Sequence, residues 1–202
     1  ANPDWDDCRL RIDELNKKHN GTMYITQGFI GGTISPKTTT TLGREGSDFT
    51  AAIFANCLDA QEVTIWKDVD GLRNADPKRF PETKKISHLS YLEAIELAFY
   101  GASIIHPKTL KPLQNKNIPL KIKCFLDTSL EPSVIDNTKG YIEYVPSFIV
   151  KEKQTLMSIT ARDYSFMDEH NRAVIFNIMD ELNLHANMTQ VSALVLSICF
   201  DE

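Results

Sequence analysis

The sequence predicts an α/β fold, a layered and largely parallel sheet, followed by a smaller α+β unit. Between residues 5 and 124, segments with helical apolar spacing alternate with short β-branched strands, the pattern of a sheet with crossover helices. Between Asp127 and Val145 the composition changes, and Pro132, Asn137-Thr138 and Gly140 mark a connection. Beyond it the pattern is strand–helix–strand, too short a stretch for an independent core. The expected division is a layered domain over 1–130, a linker over 131–150 and a partial unit over 151–202.

Trp5, Cys8, Ile12 and Leu15 share one helical face, and Asn20-Gly21 suits the C-cap of that helix. Met23-Tyr24-Ile25-Thr26 reads as a short strand, followed by a loop over residues 27–32. Phe49, Ala52, Ile53 and Cys57 recur at helical spacing, so a helix spans about 48–58 with Ser47 or Asp48 as N-cap. Val63-Thr64-Ile65-Trp66 is a strand ending in Lys67-Asp68, and residues 69–72 and 75–78 supply turns. Ser90 and Glu93 form a capping box that opens a helix through Phe99, with Gly101 at its end. Pro107 suits the first turn of a helix over 108–115, which Pro112 should bend or shorten. Leu120-Lys121-Ile122-Lys123-Cys124 alternates as a strand. In the tail, residues 155–160 form a strand, Ala173, Ile175, Phe176, Ile178, Met179 and Leu182 an apolar helical stripe, and residues 191–200 a closing strand.

Composition narrows the function. The chain has 202 residues and a net charge of −5, with its cations scattered, which argues against nucleic-acid binding. No apolar run approaches the ~18 residues of a membrane span, and the N-terminus has no signal-peptide pattern. The four cysteines lie far apart and read as reduced core thiols of a cytoplasmic protein. The five histidines form no ligand-spaced pair, so no structural metal site is expected. His106, before Pro107, reads as an N-cap or packed histidine rather than a catalytic base.

The most informative stretch is Thr38 to Ala52, a small-residue loop that carries a guanidinium and runs into a helix. Gly43 and Gly46 permit close approach of backbone to a ligand, and the helix N-terminus attracts an anion. Arg44 adds a planar fork suited to a carboxylate or phosphate. In an open α/β sheet, ligands gather at the carboxyl ends of strands. Residues 28–31, 44–48 and 68–78 are the candidates for that edge.

Five blocks occur in order: Thr26 to Gly31, Thr39 to Ala51, Ile65 to Gly71, Asp76-Pro77-Lys78 and Gly101 to Pro107. Together they closely resemble the aspartokinases of the amino-acid kinase family, over roughly the first 130 residues. The tail resembles the start of the regulatory ACT region that follows the kinase domain in that family. A Lys-Phe-Gly-Gly-Thr segment, whose lysine and glycines contact the transferring phosphate in aspartokinases, has no counterpart here. Gly31-Gly32-Thr33 lies after the Gln-Gly-Phe-Ile-Gly block and is no substitute. The final ACT strands are also missing, so the expectation is an internal fragment that holds no catalytic residue and is inactive alone.

The resemblance implies transfer of the γ-phosphoryl of ATP, with Mg2+, to the side-chain carboxylate of L-aspartate, the first step toward lysine, threonine and methionine. The acceptor is ionised at neutral pH, so catalysis is positioning and charge neutralisation. By resemblance Arg44 clamps the α-carboxylate of aspartate, Asp48 pairs with its ammonium, and Phe29 and Ser47 shape the pocket. Lys67, Asp68, Arg73, Lys78, Ser103 and Ile104 fall at the ATP contacts. Arg73 stands where tyrosine is usual, Lys78 where arginine is usual, and Ser103 where a lysine flanks the base. In the ACT-like tail, residues 165–171 precede the helix where relatives bind a feedback amino acid. Phe166-Met167-Asp168-Glu169-His170 differs from the small-residue loop of lysine-sensitive relatives, which implies either another effector or an interface role. A homodimer is expected, with residues 191–200 at or near the interface. Two alternatives stay open: another amino-acid kinase, and a non-catalytic amino-acid-binding regulatory protein.

Overall fold

A computed structural model describes residues 2–19, 23–102, 105–138 and 145–202. Residues 1–149 make one compact unit and residues 150–202 a second. In the first, the elements are α1 (Trp5–Lys18), β1 (Ile30–Gly32), β2 (Thr39–Thr41), α2 (Gly46–Cys57), β3 (Val63–Lys67), β4 (Leu72–Arg73), β5 (Lys85–Ile86), β6 (His88–Ser90), α3 (Tyr91–Phe99), α4 (Pro107–Gln114), β7 (Leu120–Cys124) and β8 (Ser133–Asp136). Strand order in the main sheet is β3-β7-β8-β6. β3 and β7 run parallel, β8 turns back antiparallel to β7, and β6 lies parallel to β8. The sheet is therefore mixed but largely parallel, as the helix–strand alternation implies.

Its core is aliphatic. Val63 and Ile65 of β3, Leu120 and Ile122 of β7 and Ile135 of β8 pack with Ala52 and Ala55 of α2 and with Leu110 and Leu113 of α4. Tyr91, 1% exposed, sits among them and donates its hydroxyl to the Ile118 carbonyl. Burial, and secondarily the Asp136 carboxylate, push this phenol above its ordinary value, so it stays a donor. Asp136 itself accepts from the Thr138 amide and pairs with His88 at 2.7 Å. Burial works to raise this carboxyl, yet the bonds from Thr138 and His88 carry it below the usual carboxylate range. A second small cluster joins Ile12 of α1 to Phe49, Ile53 and Cys57 of α2. All four cysteines are unpaired thiols, and burial is the main cause raising Cys8 and Cys57.

Local signals act as read at several ends. Ser90 Oγ accepts from the Glu93 amide while Glu93 accepts from the Ser90 amide, completing the capping box. His106 caps α4, its Nδ1 accepting from the Lys108 amide at 3.1 Å. Pro112 does not stop α4, which continues to Gln114; its carbonyl accepts from Asn56 Nδ2 at 2.7 Å. Asn20-Gly21 and Gly140 lie outside the described residues.

Other expectations need correction. Residues 23–26 are not a strand: Met23 and Ile25 are 86% and 94% exposed, and β propensity without a pairing partner makes no ladder. The strand here is β1, paired antiparallel with β2 from the threonine run read as loop. Helix α2 begins at Gly46, so Ser47 and Asp48 lie in its first turn rather than capping it. Its N-cap is Glu45, left-handed at φ 53°, whose carboxylate accepts from the His106 amide at 2.6 Å instead of from its own helix. Within the expected connection, residues 133–136 form the buried strand β8. There Ser133 Oγ donates to the Ile86 carbonyl at 2.6 Å and accepts from the Leu72 amide at 2.9 Å, stitching β8 to the β4–β5 hairpin.

The second unit comprises β9 (Gln154–Thr160), α5 (Glu169–Glu181), β10 (Ala186–Val191) and β11 (Val195–Asp201). The three strands form an antiparallel sheet, order β10-β11-β9. Met167, Met179, Leu196 and Ile198 make its core. The single closing strand expected over 191–200 is two strands, because Ser192 closes a tight turn through its amide and hydroxyl to Val195. β11 is consequently the central strand, with Leu196 and Ile198 fully buried, so residues 191–200 do not offer the open edge expected of them. The edges are β9 and β10. At one end of the sheet Asp201 gathers Lys151, Gln154 and Asn187, and these bonds, Lys151's first, hold its carboxyl down to about 2.

Candidate functional site

Helix α2 packs behind β3 and ends close to where β3 begins in the chain, so its first turn faces the carboxyl end of that strand. There the Asp48 carboxylate, in the first turn, meets the Lys67 ammonium, from the last residue of β3, at 3.3 Å. Their side chains are 17% and 27% exposed. A carboxylate in a first helical turn is favoured by the positive end of the helix dipole.

The loop before β1 lies flat on this helix end, and two glycines make that possible. A Cβ on Gly28 would fall 2.8 Å from Ser47 Cα, and one on Gly46 would fall 2.7 Å from the Phe29 ring. Phe29 takes the left-handed conformation, φ 74°. Its amide donates to Thr50 Oγ1 at 3.0 Å, Thr50 Oγ1 donates to the Gly46 carbonyl at 2.8 Å, and its carbonyl accepts from the Leu42 amide at 2.8 Å. The Phe29 ring remains 44% exposed. Arg44 projects from the turn between β2 and α2, is exposed, and pairs with no described residue.

The structure thus brings Phe29, Ser47, Asp48 and Lys67 together, with Arg44 two residues ahead of the helix. Chemically this is a rim with a carboxylate, a guanidinium, an ammonium and a helix N-terminus, suited to a zwitterion beside an anion.

The remaining positions fall farther along the chain. Asp68 is exposed just past β3. Arg73 lays its fork on Asp70, Nε to Oδ1 at 3.1 Å and an amino group to Oδ2 at 2.8 Å, and gives its other amino group to Thr83. Its donor edge is committed internally, which leaves the flat face for a planar ligand. Lys78 is exposed on the turn where its amide donates to Asp76 Oδ1 at 2.9 Å. Ser103 and Ile104 lie outside the described residues. Three residues escaped the sequence reading: Glu45, Thr50 and Lys123, whose ammonium stands 5.5 Å from the Trp66 ring centroid. Glu45 reaches His106, Thr50 reaches Phe29 and Lys123 reaches Trp66, partners remote in the chain that no local pattern announces. Among the described residues no group of three acidic, histidine or cysteine side chains stands together as a metal site. A magnesium ion that arrives with a nucleotide keeps phosphate oxygens and water as most of its ligands and needs no such cage.

Three comparisons bear on this geometry. The model of the amino acid kinase family matches residues 6–124. A bifunctional aspartokinase/homoserine dehydrogenase 2, chloroplastic, of Zea mays is 31% identical over 205 residues, covering 99% of this chain and 22% of the relative. The lysine-sensitive aspartokinase 3 of Escherichia coli is 32% identical over 197 residues, 96% of this chain and 43% of the relative. The chain therefore spans less than half the length of these relatives. The crystal structure of E. coli aspartokinase III in complex with aspartate and ADP superposes with a TM-score of 0.81 at 30% identity, over 100% of this chain and 45% of that one.

Proposed function

Because the chain belongs to the amino acid kinase family, we propose that it serves aspartokinase chemistry, the transfer of the γ-phosphoryl of ATP to the side-chain carboxylate of L-aspartate. The product is 4-phospho-L-aspartate, at the head of routes to lysine, threonine and methionine. The observation that carries this reading is the likeness, along the whole chain, to an enzyme held in crystals with aspartate and ADP. Asp48 takes the amino-acid ammonium and Arg44 the α-carboxylate, while Phe29 and Ser47 shape the pocket beside the α2 N-terminus. Lys67 and Lys78 neutralise phosphate charge, Asp68 faces the nucleotide, and Arg73 offers its flat face to the base. Ser103 and Ile104 belong to the same nucleotide contacts. Magnesium-ATP supplies the phosphoryl group and part of the charge neutralisation. The acceptor carboxylate is already ionised, so these residues position reactants and need not remove a proton.

Arg44→Lys is the direct test. Lysine keeps the charge and loses the two-pronged geometry, so about 1–3 kcal/mol of aspartate binding is expected to go, with the ATP constant little changed. Steady-state kinetics of the intact enzyme, with each substrate varied in turn, decide; a raised ATP constant beside an unchanged aspartate constant would move Arg44 to the nucleotide.

The proposed division is a kinase half over 1–130 that also takes in β8, a connection shorter than the 131–150 expected, and a regulatory unit over 151–202. The segment before α5, residues 165–171, is proposed to meet a feedback amino acid, with Phe166 73% exposed there. The free cysteines suit a reducing compartment, the cytoplasm. No helix among the described residues is long and apolar enough to cross a membrane. We also propose a two-fold dimer. β9 and β10 are sheet edges, and Leu156 and Met188 on them are 66% and 59% exposed. Light scattering at several concentrations should give twice the monomer mass; a clean monomer at high micromolar concentration would sink the dimer.

A further inference from the structure

The Asp48–Lys67 pair joins two elements, the first turn of α2 and the end of β3, and each partner has a competing ligand in the function proposed above. Asp48 is the site for a substrate ammonium; Lys67 faces a polyphosphate. At 3.3 Å the two side chains already neutralise one another. A carboxylate that holds one ammonium attracts a second less, and a paired lysine attracts phosphate less. Both side chains keep some contact with solvent, so water reaches each charge as its partner changes. Lysine is also suited to the move, because its compact charge rides on a flexible four-carbon stem.

We infer that Asp48–Lys67 is an exchangeable ion pair that couples the two substrates. An amino-acid ammonium displaces Lys67 from Asp48, and Lys67 turns to the nucleotide phosphates, so each ligand tightens binding of the other. The inference rests on the function proposed above. Lys67 is thereby a positioning residue with a linkage role, and the linkage is reciprocal by thermodynamic necessity.

Calorimetric titration of the protein with L-aspartate, alone and with saturating magnesium-AMP-PNP, tests it. The nucleotide analogue should tighten aspartate binding by about five-fold or more, the lower end of ordinary coupling. L-malate has a hydroxyl in place of the ammonium and cannot displace Lys67, so its affinity should not respond to nucleotide. Lys67→Met should bind aspartate more tightly than the native protein when no nucleotide is present, because the internal competitor is gone, and should show no coupling. Lys67→Arg keeps the charge and should keep the coupling, which separates the effect from a failure to fold. Coupling that survives in Lys67→Met, or native aspartate and nucleotide sites that fill independently, would overturn the exchange and leave the proposed function standing. Failure of the native protein to bind either ligand would overturn both.

Discussion

Asp48→Asn is expected to weaken L-aspartate binding roughly ten- to hundred-fold, the scale of about 1.5–3 kcal/mol for a hydrogen bond to a charged group. The substitution keeps the shape of the side chain and removes the charge to which the proposed function assigns the substrate ammonium. It also leaves Lys67 without its carboxylate at 3.3 Å. These two effects push the ligands in opposite directions, since an ammonium with one carboxylate fewer beside it attracts phosphate more strongly. Nucleotide affinity is therefore expected to hold or rise while aspartate affinity collapses. Asparagine keeps the volume and polar atoms of the side chain, so the fold should persist, but a largely buried lysine loses one carboxylate partner and some stability goes with it. Titrations with each ligand and a thermal melt decide the matter. Equal losses for both ligands would mean that Asp48 organises the whole edge rather than the amino-acid side of it.

Gly71→Ala is the second large effect, and it acts on stability. Gly71 has φ 136°, a region that L side chains rarely enter, and a Cβ there would lie 2.5 Å from Ser133 Oγ and 2.9 Å from Lys85 Cε. Lys85 can move aside. Ser133 cannot, because it is wholly buried and its hydroxyl spans Leu72 and Ile86. Backbone strain and overpacking each cost about 1–3 kcal/mol, so a loss of about 3 kcal/mol or more is expected. Urea unfolding midpoints for native, Gly71→Ala and Ser133→Ala proteins would test this. A Gly71→Ala protein as stable as the native one would show that the turn relaxes without disturbing Ser133.

Periodic segments with strong ends were legible in the chain: the capping box at Ser90, the β-branched run of β3, and the apolar stripe of α5. Short strands were not. β8 is four residues with serine and aspartate at its ends, and β10 is mostly polar, so neither carries an apolar alternation. Each is a strand because a neighbour supplies a ladder and a core, which is tertiary information. The site divides the same way. The glycines, Arg44 and Asp48 stand out as a block in sequence. Glu45 reaching His106, and Arg73 reaching Thr83 as well as the nearby Asp70, depend on contacts across the fold that no local pattern encodes. Ser47 and Asp48 are good capping residues, but α2 starts at Gly46, ahead of both, behind a left-handed Glu45 whose carboxylate is anchored elsewhere.

The strand order β3-β7-β8-β6 has a consequence for how the chain acquires its shape during synthesis. β3 and β6 emerge early, yet they occupy opposite edges of the sheet, and the two strands between them come later. The contact of β7 with β8 is short-range and quick to form, whereas seating β6 requires β8 to have left the ribosome. Until residue 136 is available, His88 to Ser90 has no ladder and Leu72 has no Ser133 to receive its amide. The α2 end of the site, built from residues 28 to 67, can assemble before that moment. The α2 end of the site and the β6 edge of the sheet therefore draw on parts of the chain that are synthesised at different times.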